Sequence, residues 1–245
     1  MIEMRFQPIV RLSDGVPVAL EALARLRDPD RGMVPASIFV PELETAGLGH
    51  ALAGLVVARA LAELPDLLLE SEALWLSVNL PLDVFLSPDA AERLDRQRRE
   101  AGVPAALLVI ELTESQPVAD VAGLAAAMLR WRAAGYRVAL DDVGPQTPLL
   151  EALLPLFDTV KLDMSIVRDA GRSAARFIGG LVAGTRARGQ IVVGEGVEDW
   201  TVWGRMRGLG VDLAQGFLLS EPIEAGSLLP WLAAWRRAGL VEPAG

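Results

Sequence analysis

Short β-like runs alternate with helix-forming segments from one end of this chain to the other, and few folds can absorb that pattern. Met4–Val10 and Val16–Leu20 read as strands, Pro41–Gly47 and Leu52–Leu64 as helices, and Ala73–Val78 as the next strand. The spacing then predicts a helix over Pro88–Ala101, a strand over Leu107–Ile110, and a helix over Val121–Ala134 closed by Gly135. Arg137–Leu140 reads as a strand, Leu149–Leu154 as a short helix, Thr159–Leu162 as a strand, and Ala174–Arg188 as a helix closed by Gly189. Ile191–Val193, a helix over Trp200–Gly208, a strand region at Gly216–Leu219 and a last helix over Ser227–Ala238 complete the series. About seven β/α units behind an N-terminal strand, with no Ser/Gly linker, predict one α/β domain over 1–245, a barrel of TIM type. A doubly wound open sheet is the alternative, but no Gly-x-Gly-x-x-Gly follows the first strand to support a dinucleotide-binding version.

The composition narrows the ligand classes. Hydrophobic residues are 52% of the chain, enough for a large core. The net charge of −9 opposes binding of a nucleic acid polymer. There is no cysteine, so disulfides, thiolate metal sites and cysteine nucleophiles are excluded. The N-terminal residues carry charges where a signal peptide needs an apolar run, and no stretch is apolar for about 18 residues. These features lead us to expect a soluble cytoplasmic protein without a membrane span.

The polar residues fall at the ends of the strands. Val16–Leu20 runs into Glu21, Leu76–Val78 into Asn79, and Leu108–Ile110 into Glu111. Val138–Leu140 runs into Asp141 and Asp142, Val160 is followed by Lys161, and Ile191–Gly194 by Glu195. In a parallel barrel these ends converge at one mouth. Several carboxylates buried together there would be prohibitive unless cations balance them. Mg²⁺ or Mn²⁺ suits such oxygen ligands, and a pair of ions can share an Asp, as the adjacent Asp141 and Asp142 would allow. His50 is the only histidine, so zinc is a poor fit. A single strand-end carboxylate is usually a helix cap or a surface charge; agreement among six strand ends points to a metal site. His50 itself reads as a solvated helix residue, the tryptophans as packing, and Arg93–Arg99 as an exposed helix face.

The same residues resemble the EAL domain family. Leu20-Glu21-Ala22-Leu23-Ala24-Arg25 holds the Glu-Ala-Leu signature. Phe6–Val10, Val34-Pro35, Phe39–Pro41, Glu44 and Gly47-Leu48 resemble its surroundings. Ser77–Leu80, Glu111–Ser115, Asp141–Gly144, Lys161–Asp163, Glu195–Glu198 and Gln215–Phe217 follow in the family's order. The resemblance implies a TIM-like (β/α)8 barrel with an antiparallel first strand, and cleavage of cyclic di-GMP to linear pGpG. It implies two Mg²⁺ or Mn²⁺ ions on Glu21, Asn79, Glu111, Asp141, Asp142 and Glu195. Glu195 and Lys161 would act on the attacking water and the phosphoryl group. Gln7, Leu23, Arg25, Asp163 and Gln215 would hold the dinucleotide, and Glu114 and Glu198 would anchor the loops around the site. A homodimer and a regulatory protein partner are further expectations of the resemblance.

The sequence departs from the family pattern after Asp142, where Val143-Gly144-Pro145-Gln146-Thr147-Pro148 replaces a Phe-Gly-Thr-Gly run. Two prolines fix φ and remove backbone donors, so the loop takes another shape. In the family this loop positions the second metal and contributes to dimer contacts. The alternative reading is therefore a domain with little turnover, acting as a cyclic di-GMP receptor or an interaction module. Smaller departures are Leu26, Asp28 and Gly194. An enolase-type barrel using Lys161 as a base is a third reading, supported only by the generic lysine-plus-acid pattern.

Overall fold

The computed structural model describes residues 1–64, 67, 74–112 and 120–238. Nine strands are present among them: β1 (Ile2–Arg11), β2 (Pro17–Asp28), β3 (Gly32–Pro35), β4 (Trp75–Leu80) and β5 (Leu108–Leu112), then β6 (Arg137–Val143), β7 (Thr159–Leu162), β8 (Ile191–Gly194) and β9 (Leu213–Ala214). They are ordered β1-β9-β8-β7-β6-β5-β4-β2-β3, and pairing of β1 with β2 closes the ring. β3 lies outside it, hairpinned onto the far end of β2 at Arg25–Asp28, which leaves eight strands in the barrel. β1 runs antiparallel to both β2 and β9, and the other ring pairs are parallel. The fold is the expected TIM-like α/β barrel with an antiparallel first strand, and the open-sheet alternative falls.

The two-residue period of a strand decides what the barrel contains. Leu20, Ala22, Leu76, Val78, Ile110, Leu112, Val138, Leu140, Val160, Leu162 and Val192 face outward into the main core beneath the helices. Each buried leucine or valine there contributes about 1.5–3 kcal/mol. The intervening positions face inward. Ile9, Ala19, Val193 and Leu213 form a separate apolar floor with Val18, bordered by Trp75 and Ile191. One step further along the same strands, the inward positions become polar: Gln7, Glu21, Glu111, Asp141, Lys161 and Gln215 are all buried. The barrel therefore carries an apolar plug at one end and a charged layer at the other.

Several local readings change. The final strand is not Gly216–Leu219, which forms a turn; the pairing strand is the two-residue β9 just before it. Gly216 sits against Val197, whose N–H donates to the Gln215 carbonyl at 3.0 Å and whose carbonyl accepts from Leu218 N–H at 3.1 Å. A β-carbon on Gly216 would lie 2.2 Å from the Val197 carbonyl oxygen. Gly216→Ala should therefore lower the unfolding free energy by about 3 kcal/mol, measurable by urea denaturation, because backbone rather than a movable side chain must yield. The helix expected at Pro41–Gly47 spans Ala36–Thr45, with Pro41 inside it rather than at its start. That proline gives up one intrahelical hydrogen bond. The last helix likewise begins earlier, at Ala225, and contains Pro230. Gly135 and Gly189 end their helices as expected, with φ of +91° and +70°. Trp131 is buried against Phe85, at 5.2 Å between ring centroids, which is the packing role expected of the tryptophans. No helix among the described residues is long and apolar enough to cross a membrane.

Candidate active site

Lys161 stands at the centre of the charged layer, about 1% exposed. Its Nζ lies 2.7 Å from Glu195 Oε1, 2.8 Å from Glu111 Oε2, 3.1 Å from Asp141 Oδ1 and 3.4 Å from Glu21 Oε2. Four carboxylates thus surround one ammonium. They come from β2, β5, β6 and the residue after β8, so closure of the barrel brings them together. Asp141 Oδ1 is buried, and its contact is the 3.1 Å ion pair with the ammonium.

An amide chain fixes one side of this cluster. Asn79 Nδ2 donates to Glu21 Oε1 at 2.8 Å, and Gln215 Nε2 donates to Glu21 Oε2 at 2.6 Å. Gln215 Nε2 also donates to Gln7 Oε1 at 2.9 Å, and Gln7 Nε2 donates to the Ser220 carbonyl at 3.1 Å. Burial alone would favour neutral Glu21, but the Lys161 charge and the donors Gln215 and Asn79 outweigh it and hold its pKa below the usual value.

The other carboxylates move the opposite way. Burial first, then the Glu21 charge, pushes Glu111 well above the ordinary carboxylate range. Burial raises Asp141 despite the attraction of Lys161. Burial pushes Glu195 up to about 8 against the pull of Lys161, and burial with the Asp141 charge pushes Asp142 up to about 6. Burial disfavours the Lys161 ammonium, yet Asp141, Glu111, Glu195 and Glu21 together hold its pKa well above normal. One positive charge is too little for this many acids, so without another cation the cluster retains protons.

β6 breaks the barrel's alternation at the point where two acids are adjacent. Its pairing with β7 shifts between Leu140 and Val143, and Asp142 has φ of +54°. A non-glycine residue in this left-handed region stores about 1–3 kcal/mol of strain, a feature that clusters at functional sites. In a regular strand Asp141 and Asp142 would face opposite sides. Here Asp141, Asp142 and Glu195 each present an oxygen, all within 4.8 Å of one another, a set that could hold a metal ion. These hard-oxygen donors suit Mg²⁺ or Mn²⁺.

The remaining expected residues are dispersed around this centre. Leu23 lines a cleft of about 360 Å³ that opens beside Asn79 and Asp142 and is walled by Val40, Pro41 and Leu52. Val40 and Pro41 belong to the Phe39–Pro41 segment noted in the sequence, though without a role; Leu52 had only the apolar face of its helix as a signal. Arg25 is half-buried, with Nη1 donating to the Ala24 carbonyl at 2.9 Å. Asp163 caps the helix Met164–Arg168, its Oδ1 accepting from Ser165 N–H at 2.9 Å. Glu198 is exposed and paired with Arg168, away from the Lys161 cluster. Glu114 lies outside the described residues. His50 is exposed, as expected. The loop after Asp142 closes on itself as a turn: Gly144 N–H donates to Thr147 Oγ1 at 3.0 Å, and Thr147 N–H to the Gly144 carbonyl at 3.1 Å.

Comparison with known proteins agrees with this architecture. A cyclic di-GMP phosphodiesterase of Pseudomonas aeruginosa is 31% identical over 238 residues, covering 93% of this chain and 39% of that protein. The cyclic di-GMP phosphodiesterase NbdA of the same organism is 30% identical over 240 residues, covering 96% of this chain and 30% of its own length. The chain thus spans about two fifths or less of the length of these relatives. The PaMucR phosphodiesterase, solved as a c-di-GMP complex, superposes with a TM-score of 0.86 at 25% identity, over 93% of this chain and 94% of that one. The family model described as "EAL domain" matches residues 1–222, and the chain belongs to the EAL domain family.

Proposed function

We propose that this domain hydrolyses cyclic di-GMP to linear pGpG, with Mg²⁺ or Mn²⁺ held among Glu21, Asn79, Glu111, Asp141, Asp142 and Glu195. The observation that carries the reading is the over-acidic cluster around Lys161, open beside a cleft of about 360 Å³. Its relatives' names and the c-di-GMP bound to PaMucR support the substrate class. Bound divalent cations would supply charge neutralisation at the phosphate and a lowered water pKa. The chain's own groups do the rest. Glu195, already tuned toward neutral pH, takes a proton from the attacking water. Lys161 places a fixed positive charge beside the phosphoryl oxygens in a water-poor site. Asn79 and Gln215 fix both oxygens of Glu21, so the carboxylate spends no freedom on orientation. Leu23 and the apolar cleft receive a base, while Gln7, Arg25 and Asp163 border the remainder of the dinucleotide. Water's oxygen joins phosphorus as the P–O3′ bond breaks, and the 3′ oxygen leaves with a proton.

Incubation of cyclic di-GMP with the protein and Mn²⁺ should release pGpG. No product with either metal at high enzyme concentration would sink the proposal. A second reading, a receptor with little turnover, draws support from the self-closed Gly144–Thr147 turn. Tight binding of cyclic di-GMP without product would favour it.

Metal binding should also depend on pH in a defined direction. A cation must displace protons from Asp142, with a pKa of about 6, and Glu195, with a pKa of about 8. The rise in melting temperature on adding Mn²⁺ should therefore be larger at pH 8 than at pH 6, by scanning fluorimetry.

A further inference from the structure

A second concavity opens at the end of the barrel opposite the carboxylates. Its volume is about 600 Å³, within the range of small-molecule sites. Trp75 and Ile191, which begin β4 and β8, form part of its wall. So do Arg11, the last residue of β1, and Arg186 and Arg207, each near the end of a helix. The apolar floor of Ile9, Ala19, Val193 and Leu213 separates this cavity from Lys161.

The cavity is more basic than its surroundings. In a chain of net charge −9, three arginines line it against one carboxylate, Asp212. Asp212 already accepts from Val192 N–H at 2.9 Å. Arg11 is paired with Asp14 at 2.8 Å. Among the described residues Arg186 has only a carbonyl partner, Gly210 at 3.2 Å, and the Arg207 guanidinium has none. A cation in a last helical turn is favoured by the helix dipole, which explains either arginine alone. It does not explain why two helices aim theirs at one cavity that also holds an indole. Arg137 covers one face of Trp75 at 3.8 Å and lies outside the cavity wall, leaving the rest of the ring to the cavity. Two guanidiniums without carboxylate partners suit phosphate, and the indole suits a planar ring.

We propose that this cavity binds a nucleoside phosphate, with the phosphates on Arg186 and Arg207 and the base against Trp75. The site is independent of the hydrolytic centre. Strands β2, β4 and β8 each run from it toward the barrel mouth.

Calorimetry with GTP and ATP, in EDTA and using the intact protein, tests this. At least one should bind, and Arg186→Ala and Arg207→Ala should each weaken it about 10-fold, the loss expected for a charge-assisted contact. Both arginines are exposed, so the fold should survive their removal. Trp75→Ala should weaken nucleotide binding, inorganic triphosphate should bind more weakly than the nucleotide, and Glu21→Gln should leave the affinity unchanged. Absence of binding at millimolar nucleotide would overturn the proposal. So would affinity indifferent to both arginines, triphosphate binding as tightly as nucleotide, or loss of binding in Glu21→Gln.

Discussion

Replacing Lys161 with methionine should destabilise the metal-free protein by about 3–5 kcal/mol, the cost of leaving buried carboxylates without their partner. The lysine sits within 3.4 Å of Glu195, Glu111, Asp141 and Glu21 and is almost fully buried. Methionine keeps most of the stem's packing, so the loss reports charge rather than a cavity. Two controls separate this from general misfolding. Lowering the pH to 5 should narrow the gap to the parent, because the remaining carboxylates then take up protons without opposition. Adding Mn²⁺ should narrow it as well, because the cation replaces the missing positive charge. A loss of equal size under all three conditions, read by urea denaturation, would refute the electrostatic account.

The placement of this cluster was legible in the sequence because a strand's period is two. Glu21, Glu111, Asp141 and Lys161 each follow an apolar run and face the barrel axis while the residue before each faces the helices, whereas Gln7 and Gln215 were expected from the family resemblance. What the sequence did not disclose depends on closure or on backbone strain. That Lys161 touches four acids follows from strands distant in sequence meeting across the barrel. The Asp142 bulge rests on a φ of +54° that no local propensity of Asp-Asp announces. β9 escaped notice because two paired residues, Leu213 and Ala214, carry no period of their own, while Gly216–Leu219 has the composition of a strand. Pro41 misplaced one helix start because proline is favoured at a helix's first position, while the last helix begins two residues before the expected Ser227. The arginine-lined cavity was invisible for the same reason as the Lys161 hub: its residues come from separated segments.

Glu195→Gln should lower hydrolysis about 1,000-fold, in line with loss of a general base, while making the metal-free protein more stable. The two effects have one cause. Burial pushes the Glu195 carboxyl up to about 8, so the native state binds a proton that the unfolded chain releases near the ordinary carboxylate value. For a group with a raised folded pKa, the associated stability is fully present below the unfolded value. It drains away as pH rises to the folded value. Between pH 5 and 8 the parent therefore loses stability that the amide variant keeps, and above about 8 the difference should level off. A gain of about 1–3 kcal/mol at pH 8 is expected after allowing for coupling to Lys161. The glutamine carbonyl can still accept from Lys161 Nζ, which lies 2.7 Å from Oε1 in the parent, so the hub is not orphaned. Added Mn²⁺ should reverse the order of stability, since the parent gains a carboxylate ligand that the variant lacks. Denaturation of both proteins across this pH range, with and without Mn²⁺, reads all of these at once. A variant that loses hydrolysis but shows no pH-dependent gain would mean that Glu195 does not carry this strain. A variant that keeps hydrolysis would remove it from the chemistry.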